Sequence, residues 1–272
     1  MNERRPWWLS GLIWTGAALL AVLAIGPALW LTAIALQPPG GELYSLFGGV
    51  TTKNFEAAWK DGQLGRPLLN SVIVTFTRAL LNVVIAALAA YPLARMNFKW
   101  RNAMFLGLLC TLMVPEQVIV VPMFRIVVEM NLYDTLTAVV LPFSVSAFGI
   151  FMCRQAFMAI PRSLEEAARI DGAHSLHIWW HIMLPLAAPT LATLGLFSVI
   201  GAWSDLLWPL IVLQSKENFT LPVAVNSLLG TFSTNVRAAY AGAVLALIPI
   251  IVIFIVIQRF MKPEMFGGAV KG

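Results

Sequence analysis

His174, His177 and His181 are separated by steps of three and four, which puts all three on one helical face with Asp171 a turn before them. A metal centre would want such a face, but it would also need a second ligand set, and the chain offers none. The other reading is the polar side of an amphipathic helix whose opposite side holds Leu176, Ile178, Trp179 and Ile182. No metal is expected. Arg78, Glu116 and Asp205 are the next candidates, because each falls inside a long apolar run. Ionisable groups at membrane depth are costly and face a cavity or a partner. Glu116 follows Pro115, where a kink can turn carbonyls and a carboxylate toward a pathway. Asp205 lies in Gly-Ala-Trp-Ser-Asp-Leu-Leu-Trp-Pro, with aromatic rings on both sides of a carboxylate and a hydroxyl. Ring stacking with carboxylate hydrogen bonding is a common way of holding a sugar. Glu116, Trp203, Ser204, Asp205 and Trp208 are therefore the candidate substrate path. Interfacial anchoring with polar contacts between helices would explain the same residues. A proton relay would need ionisable groups linking Glu116 to Asp205, and none does.

Catalytic sites are absent as sequence patterns. There is no G-x-x-x-x-G-K-[ST] to cradle nucleotide phosphates, and no G-x-S-x-G, H-E-x-x-H or C-x-x-C. No catalytic residue is assigned and no enzyme activity is expected.

The elements that must position these residues follow from composition. Hydrophobic residues make up 59% of 272 positions, charged residues 11%, and the mean hydropathy is +0.81. A soluble domain carries about a quarter charged residues, so the chain belongs in a membrane. Apolar runs of about 20 residues indicate helices; a barrel would show alternating segments of about 10. Cys110 and Cys153 fall inside such runs, so no disulfide framework is implied. The pI near 9.5 reflects basic loops beside anionic lipid, with no basic-aromatic tract for nucleic acid.

Six spans are expected, near 9–36, 68–94, 103–128, 135–158, 184–213 and 239–261, with residues 1–8 before them. Arg4 and Arg5 precede an apolar run about twice the length of a signal h-region, so the first span is read as uncleaved. Arg4, Arg5, Arg95, Lys99, Arg101, Arg154, Arg162, Arg169, Arg259, Lys262 and Lys271 then share one side. Lys53, Lys60, Arg66, Arg125, Lys216 and Arg237 share the other, diluted by acidic residues. Eleven against six puts both termini and the 159–183 loop in the cytoplasm. Prolines at 27, 92, 115, 122, 142, 185, 189, 209 and 249 predict kinked helices packed in one bundle, a single membrane domain.

The 159–183 loop is the longest polar interruption in the second half of the chain. Ser163 and Glu166 match a capping box, Ser163 serving as N-cap and Glu166 at N3. The helix should stop at Gly172 in a left-handed turn, and a second should begin near Ser175 and be broken by Pro185. Small side chains at Ala167, Ala168 and Ala173 would let another surface approach closely, the geometry of helix-in-groove docking.

At Glu166-Ala167-Ala168, Asp171-Gly172-Ala173 and Leu184-Pro185 the chain resembles the membrane-spanning permease subunit of ABC importers. Within that superfamily it resembles the smaller six-span subunit of the maltose-type carbohydrate permeases. The resemblance continues through Asn70-Ser71, Ala89 to Arg95, Met113-Val114-Pro115, Leu141-Pro142, Arg154 to Phe157, Trp203 to Pro209 and Gly267 to Gly272. It implies an all-α membrane protein of six transmembrane helices with a cytoplasmic coupling-helix loop. It implies that Glu165, Glu166, Ala167, Ala168, Arg169, Asp171, Gly172 and Ala173 seat against an ATP-binding subunit dimer, which alone binds ATP and Mg. Within the tail at 263–272, Gly268, Val270 and Lys271 would touch the same dimer. The outer 214–237 loop would meet an extracytoplasmic substrate-binding protein, and a second homologous permease would complete a heterodimer in a bacterial or archaeal inner membrane. Ser204 stands where the family commonly has Asn, and the histidines fall at variable positions.

An ion-driven secondary transporter would need an inverted repeat and paired midplane charges, and neither is visible. Within the importer class, polyamines or glycerol-phosphate-like solutes are the alternative cargo. A phosphorylated solute would want clustered Arg or Lys, for which Arg78 alone is a poor match.

Overall fold

The structure, a computed structural model, describes residues 7–38, 49–230 and 236–258. Among them there is helix and turn and no strand, as an apolar chain that must satisfy its own backbone requires. The helices are α1 (Trp7–Ala35), α2 (Lys53–Asp61), α3 (Gly65–Arg95), α4 (Arg101–Thr111), α5 (Glu116–Glu129), α6 (Leu136–Val140) and α7 (Ala147–Ala159). They continue as α8 (Arg162–Ile170), α9 (Ser175–Ile178), α10 (Leu184–Ser204), α11 (Leu207–Val212), α12 (Leu221–Gly230) and α13 (Val236–Gln258).

Four helical stretches are long and apolar enough to cross a membrane: 11–35, 65–95, 175–204 and 236–256. Two bent pairs raise the number to six if each is one crossing. α4 and α5 meet at 100°, and the α6 segment meets α7 at 44°. The third expected span is thus an elbow, because residues 112–115 leave the helix before Pro115 takes an extended conformation. The fifth differs as well. Its helix ends at Ser204, and α11 starts anew at Leu207.

The chain forms two compact units. The first takes residues up to Gly65 together with Ala224–Ile248. In it, buried Asn54 donates from Nδ2 to the carbonyls of Ala35 and Gln37 at 2.8 and 2.7 Å, closing the C-terminal end of α1. Gly242 of α13 faces Val225 and Leu228 of α12, where a Cβ would come within 3.4 and 3.3 Å of their methyl groups.

The second unit, Arg66–Val223 with Pro249 onward, holds the candidate site. α3 runs through it with Ala79, Ala86, Ala87, Ala90 and Ala94 buried, a stripe of small residues that lets neighbouring backbones approach closely. At one end of α3, Ala86 to Ala94 pack with Ile150, Cys153 and Phe157 of α7, with Trp179 and Met183, and with Leu194 of α10. Toward the other end, Val74 packs with Val127, Val139, Trp208 and Val212.

Candidate functional site

α8 starts two residues earlier than the capping-box reading expects. Pro161 occupies the N-cap position in an extended conformation, Ser163 lies inside the helix, and no side chain caps the first turn. A proline has already fixed the entry of the chain, so the Ser163 hydroxyl is not needed there. The stop is as expected. Gly172 has φ +83, its N–H donates to Arg169 O at 3.0 Å, and the Ala173 N–H donates to Ala168 O at 2.9 Å. Those two bonds and the left-handed residue between them make a Schellman turn.

The two faces of α8 do different things. Ser163, Glu166, Ala167 and Ile170, spaced three, four and seven apart, are all exposed, and Ile170 is 87% exposed. Asp171 and Gly172 are exposed at its end. Ala168 and Ala173 instead pack toward the apolar cluster at the end of α3, so their small size serves the loop's own seating. Glu165 points inward with Arg95, their side chains only 9% and 3% exposed, and the two charges lie 3.7 Å apart. Tyr91 Oη donates to Glu165 Oε1 at 3.4 Å, and Arg169 Nη2 donates to the same oxygen at 2.9 Å. The bond to Glu165 and its negative charge hold the Arg169 guanidinium above its ordinary pKa. Arg95 Nη2 also donates to the carbonyls of Phe157 and Ile160, which the end of α7 leaves open. In return Arg154 of α7 donates to Leu93 O at 3.1 Å near the end of α3.

Beyond Gly172, the histidines form a solvent-exposed ladder. The His177 and His181 rings stack at 4.1 Å, and His174 Nδ1 accepts the His177 N–H at 3.2 Å as the N-cap of α9. No group of three or more His, Cys, Asp or Glu side chains among the described residues could hold a metal ion. Pro185 does not break the helix here. A wider turn at Trp179–Met183 leads into it, and residues 175–204 run on as one helix. Ala168, Asp171, Gly172, Ala173, His174, His177 and Ile182 line a hollow of about 370 Å³ beside α8.

The candidate path is rearranged. Trp203 and Trp208 are 4% and 2% exposed, and Trp208 spends its N–H on Ala138 O at 2.9 Å while packing on Phe143. Both indoles are therefore packed within this chain, away from its surface. Ser204 is exposed, but its hydroxyl donates back to Ile200 O at 2.7 Å. Asp205 accepts from Arg78 Nη1 at 2.8 Å, and the Arg78 guanidinium lies 4.4 Å over the Phe143 ring. Beside that pair opens a cleft of about 230 Å³, lined by Arg78, Asn82, Glu116, Phe143, Phe148, Phe197 and Ser198 among others. Phe148 and Phe197 meet edge to face across 6.2 Å. Asn82 joins the walls, accepting from Ser146 N–H at 3.0 Å and donating to Ser198 Oγ at 2.8 Å. Glu116, exposed at the start of α5, has no ion pair among the described residues. Of the five residues expected on the path, Glu116 lines the cleft and Asp205 balances its arginine. The aromatic surface comes from phenylalanines that sequence reasoning passed over, because phenylalanine in an apolar helix carries no signal.

A second polar centre also went unread. Asp134, at φ +56, accepts from the Gln214 and Ser215 N–H groups at 2.9 and 3.0 Å and from the Ser215 hydroxyl. Its own carbonyl accepts from Asn218 Nδ2 at 2.6 Å. Burial alone would raise its pKa, but the Ser215, Gln214 and Asn218 donors outweigh that and hold it at about 2. The tail residues Gly268, Val270 and Lys271 lie outside the described residues.

Residues 64–267 match the family of binding-protein-dependent transport system inner membrane components, and the chain belongs to that family. The arabinooligosaccharides transport system permease protein of Halalkalibacterium halodurans is 34% identical over 271 residues, covering 97% of each chain. The melibiose/raffinose/stachyose import permease of Bacillus subtilis is 34% identical over 265 residues, covering 94% of this chain and 95% of that one. A chain of a bacterial ABC transporter for the import of the acidic polysaccharide alginate has the same fold, with TM-score 0.81 at 22% identity over 96% of this chain and 99% of the other.

Proposed function

We propose that the chain is one permease of an ATP-driven importer for a neutral oligosaccharide, with α8 as the element that receives the motion of the ATPase. The observation that carries this reading is the division of α8 into two faces. Its outer face offers Glu166, Ala167 and Ile170 to a partner, while its inner face is fastened to the helices that line the cleft. An isoleucine 87% exposed beside a hollow is a docking feature in search of a groove. ATP and Mg belong to the partner, since this chain has no phosphate-cradling loop. On this reading each bent pair is one crossing, giving six, with both termini and the 159–183 loop in the cytoplasm and residues 263–272 as a tail against the ATPase. A second permease completes the path, and the 212–218 turn, braced by Asp134, faces an extracytoplasmic binding protein. Rigid-body motion passed from α8 to the kinked helices alternates access to the path.

The cargo assignment follows the relatives that import arabino-, melibiose- and raffinose-type oligosaccharides, and it accords with the cleft. A relative of Yersinia pestis, 34% identical over 76% of this chain, imports sn-glycerol-3-phosphate. An anionic solute needs free positive charge, and here Arg78 is engaged by Asp205 while Glu116 adds a negative one. Amide, hydroxyl and ring edges beside a neutralised ion pair suit a neutral sugar.

The test is uptake into proteoliposomes by the chain with its partner permease, ATPase and binding protein, using neutral oligosaccharides and glycerol phosphate side by side. ATP-dependent uptake of a neutral oligosaccharide is expected. Uptake by this chain alone under an ion gradient, without ATP, would replace the importer reading with a secondary transporter.

A further inference from the structure

Glu165 and Glu166 are neighbours that face opposite ways, and only Glu166 is turned to solvent. We propose that Glu165 is the positioning residue that bolts α8 to the ends of α3 and α7, so that the loop and the cleft-lining helices move as one body. The proposal rests on the ATP-driven reading above and adds the joint through which that motion would pass.

One guanidinium holds three segments together. Arg95 is the last residue of α3, donates to carbonyls at the end of α7, and lies against the Glu165 carboxylate of α8. Glu165 answers with contacts to Tyr91 of α3 and to Arg169 a turn further along α8. Apolar contact would hold α8 in place with less desolvation cost, because a buried ion pair is weak evidence for stability. What the pair supplies is register. If α8 slid or turned, Arg95 would be left as a buried charge without its carboxylate and Glu165 would keep only Arg169 of its own helix, whereas the small Ala168 and Ala173 contacts would tolerate the shift. A lever needs that property, since any slack at the joint would absorb the stroke. Arg154, returning from α7 to Leu93 O, closes the same joint from the other side.

The test uses the assembled importer in nanodiscs, comparing the parent with Glu165→Gln and Arg95→Lys. Both variants are expected to retain the ATPase subunit through purification, while solute transported per ATP hydrolysed falls about tenfold. Spin labels at Leu164→Cys and Leu88→Cys, in a Cys110→Ser background, should give a narrow distance distribution in the parent and a broad one in the variants. An unchanged transport ratio with an unchanged distribution would overturn the proposal. Loss of the ATPase subunit with the distribution intact would also overturn it, by making Glu165 a docking residue. If Glu165→Gln does not accumulate, Arg95→Lys decides alone, since it keeps the charge and removes the planar guanidinium that donates to the two carbonyls while facing Glu165. Failure of both to accumulate would assign the pair to folding and overturn it too. The distance readout needs no solute, so a complex that imported no sugar would sink the proposed function while leaving this test standing.

Discussion

Ile170 shows how much a single side chain can say once its surroundings are known. In the sequence it is one apolar residue among many, but on α8 it is 87% exposed and shares a face with Glu166 and Ala167. A large apolar residue in that position makes sense as an anchor for a partner. Ile170→Glu should weaken capture of the ATPase subunit by roughly 2 kcal/mol or more, read by co-purification or titration of the assembled complex. Ile170→Leu should keep it. Arg78 and Asp205 make the complementary case, because sequence reasoning could say that each needs a partner at membrane depth. It could not say that they are each other's, 127 positions apart. Asp205→Ala would leave Arg78 buried and unpaired and should cost about 3 kcal/mol, seen as a lower Tm in nanodiscs. Asp205→Ala with Arg78→Met should recover most of that loss, since an apolar pair pays no desolvation.

At the scale of elements, local backbone chemistry was legible and long-range geometry was not. The Gly172 stop could be read from the chain because only a left-handed residue ends a helix that way. Space is open where its Cβ would sit, so Gly172→Ala should cost about 1 kcal/mol from backbone conformation alone. Gly172→Asn should cost less, and transport activity should follow the same order. The kink expected at Pro115 is present as the elbow between α4 and α5, whereas the break expected at Pro185 is absent from the continuous helix 175–204. A proline states that a hydrogen bond is missing, but what the neighbours do about it is decided by packing. The Asp134 brace was missed because its donors lie some eighty positions away, and it makes a pH prediction. Its folded pKa of about 2 lies below the ordinary carboxylate value of 3.8, so its contribution is present above 3.8 and lost as the pH falls toward 2. Asp134→Asn keeps the residue comfortable at positive φ while removing the charge. Its Tm deficit should be full at pH 7 and shrink as the pH falls from about 4 to about 2.

For the whole molecule, composition and motif went far. Helices, membrane residence and the family resemblance were all on the surface of the sequence, because a bilayer leaves few options for satisfying a backbone. The cleft was not, since its walls come from α3, the start of α5, α7 and α10, and single phenylalanines in apolar helices announce nothing. The six-crossing topology is open to a direct experiment. Cysteines added one at a time at Lys99, Met130 and Ala167, in a Cys110→Ser background that keeps only the buried Cys153, should label from alternating sides of sealed vesicles. Labelling of Met130→Cys from the same side as either of the others would mean that the bent pair between them turns back without crossing. The reciprocal arginines at the ends of α3 and α7 have a consequence for how the chain is made. Arg95 finds its carbonyls only when Phe157 and Ile160 have been synthesised, 62 and 65 positions later. While the chain is being inserted, the end of α3 must therefore wait with its charge at the bilayer edge, held there by water and headgroups. The joint can close only after the elbow and α7 have entered the bilayer behind it. A nascent chain arrested before residue 157 should leave Arg95 open to solvent, and one arrested well past 160 should bury it. That would make closing of this clamp a late checkpoint in biogenesis.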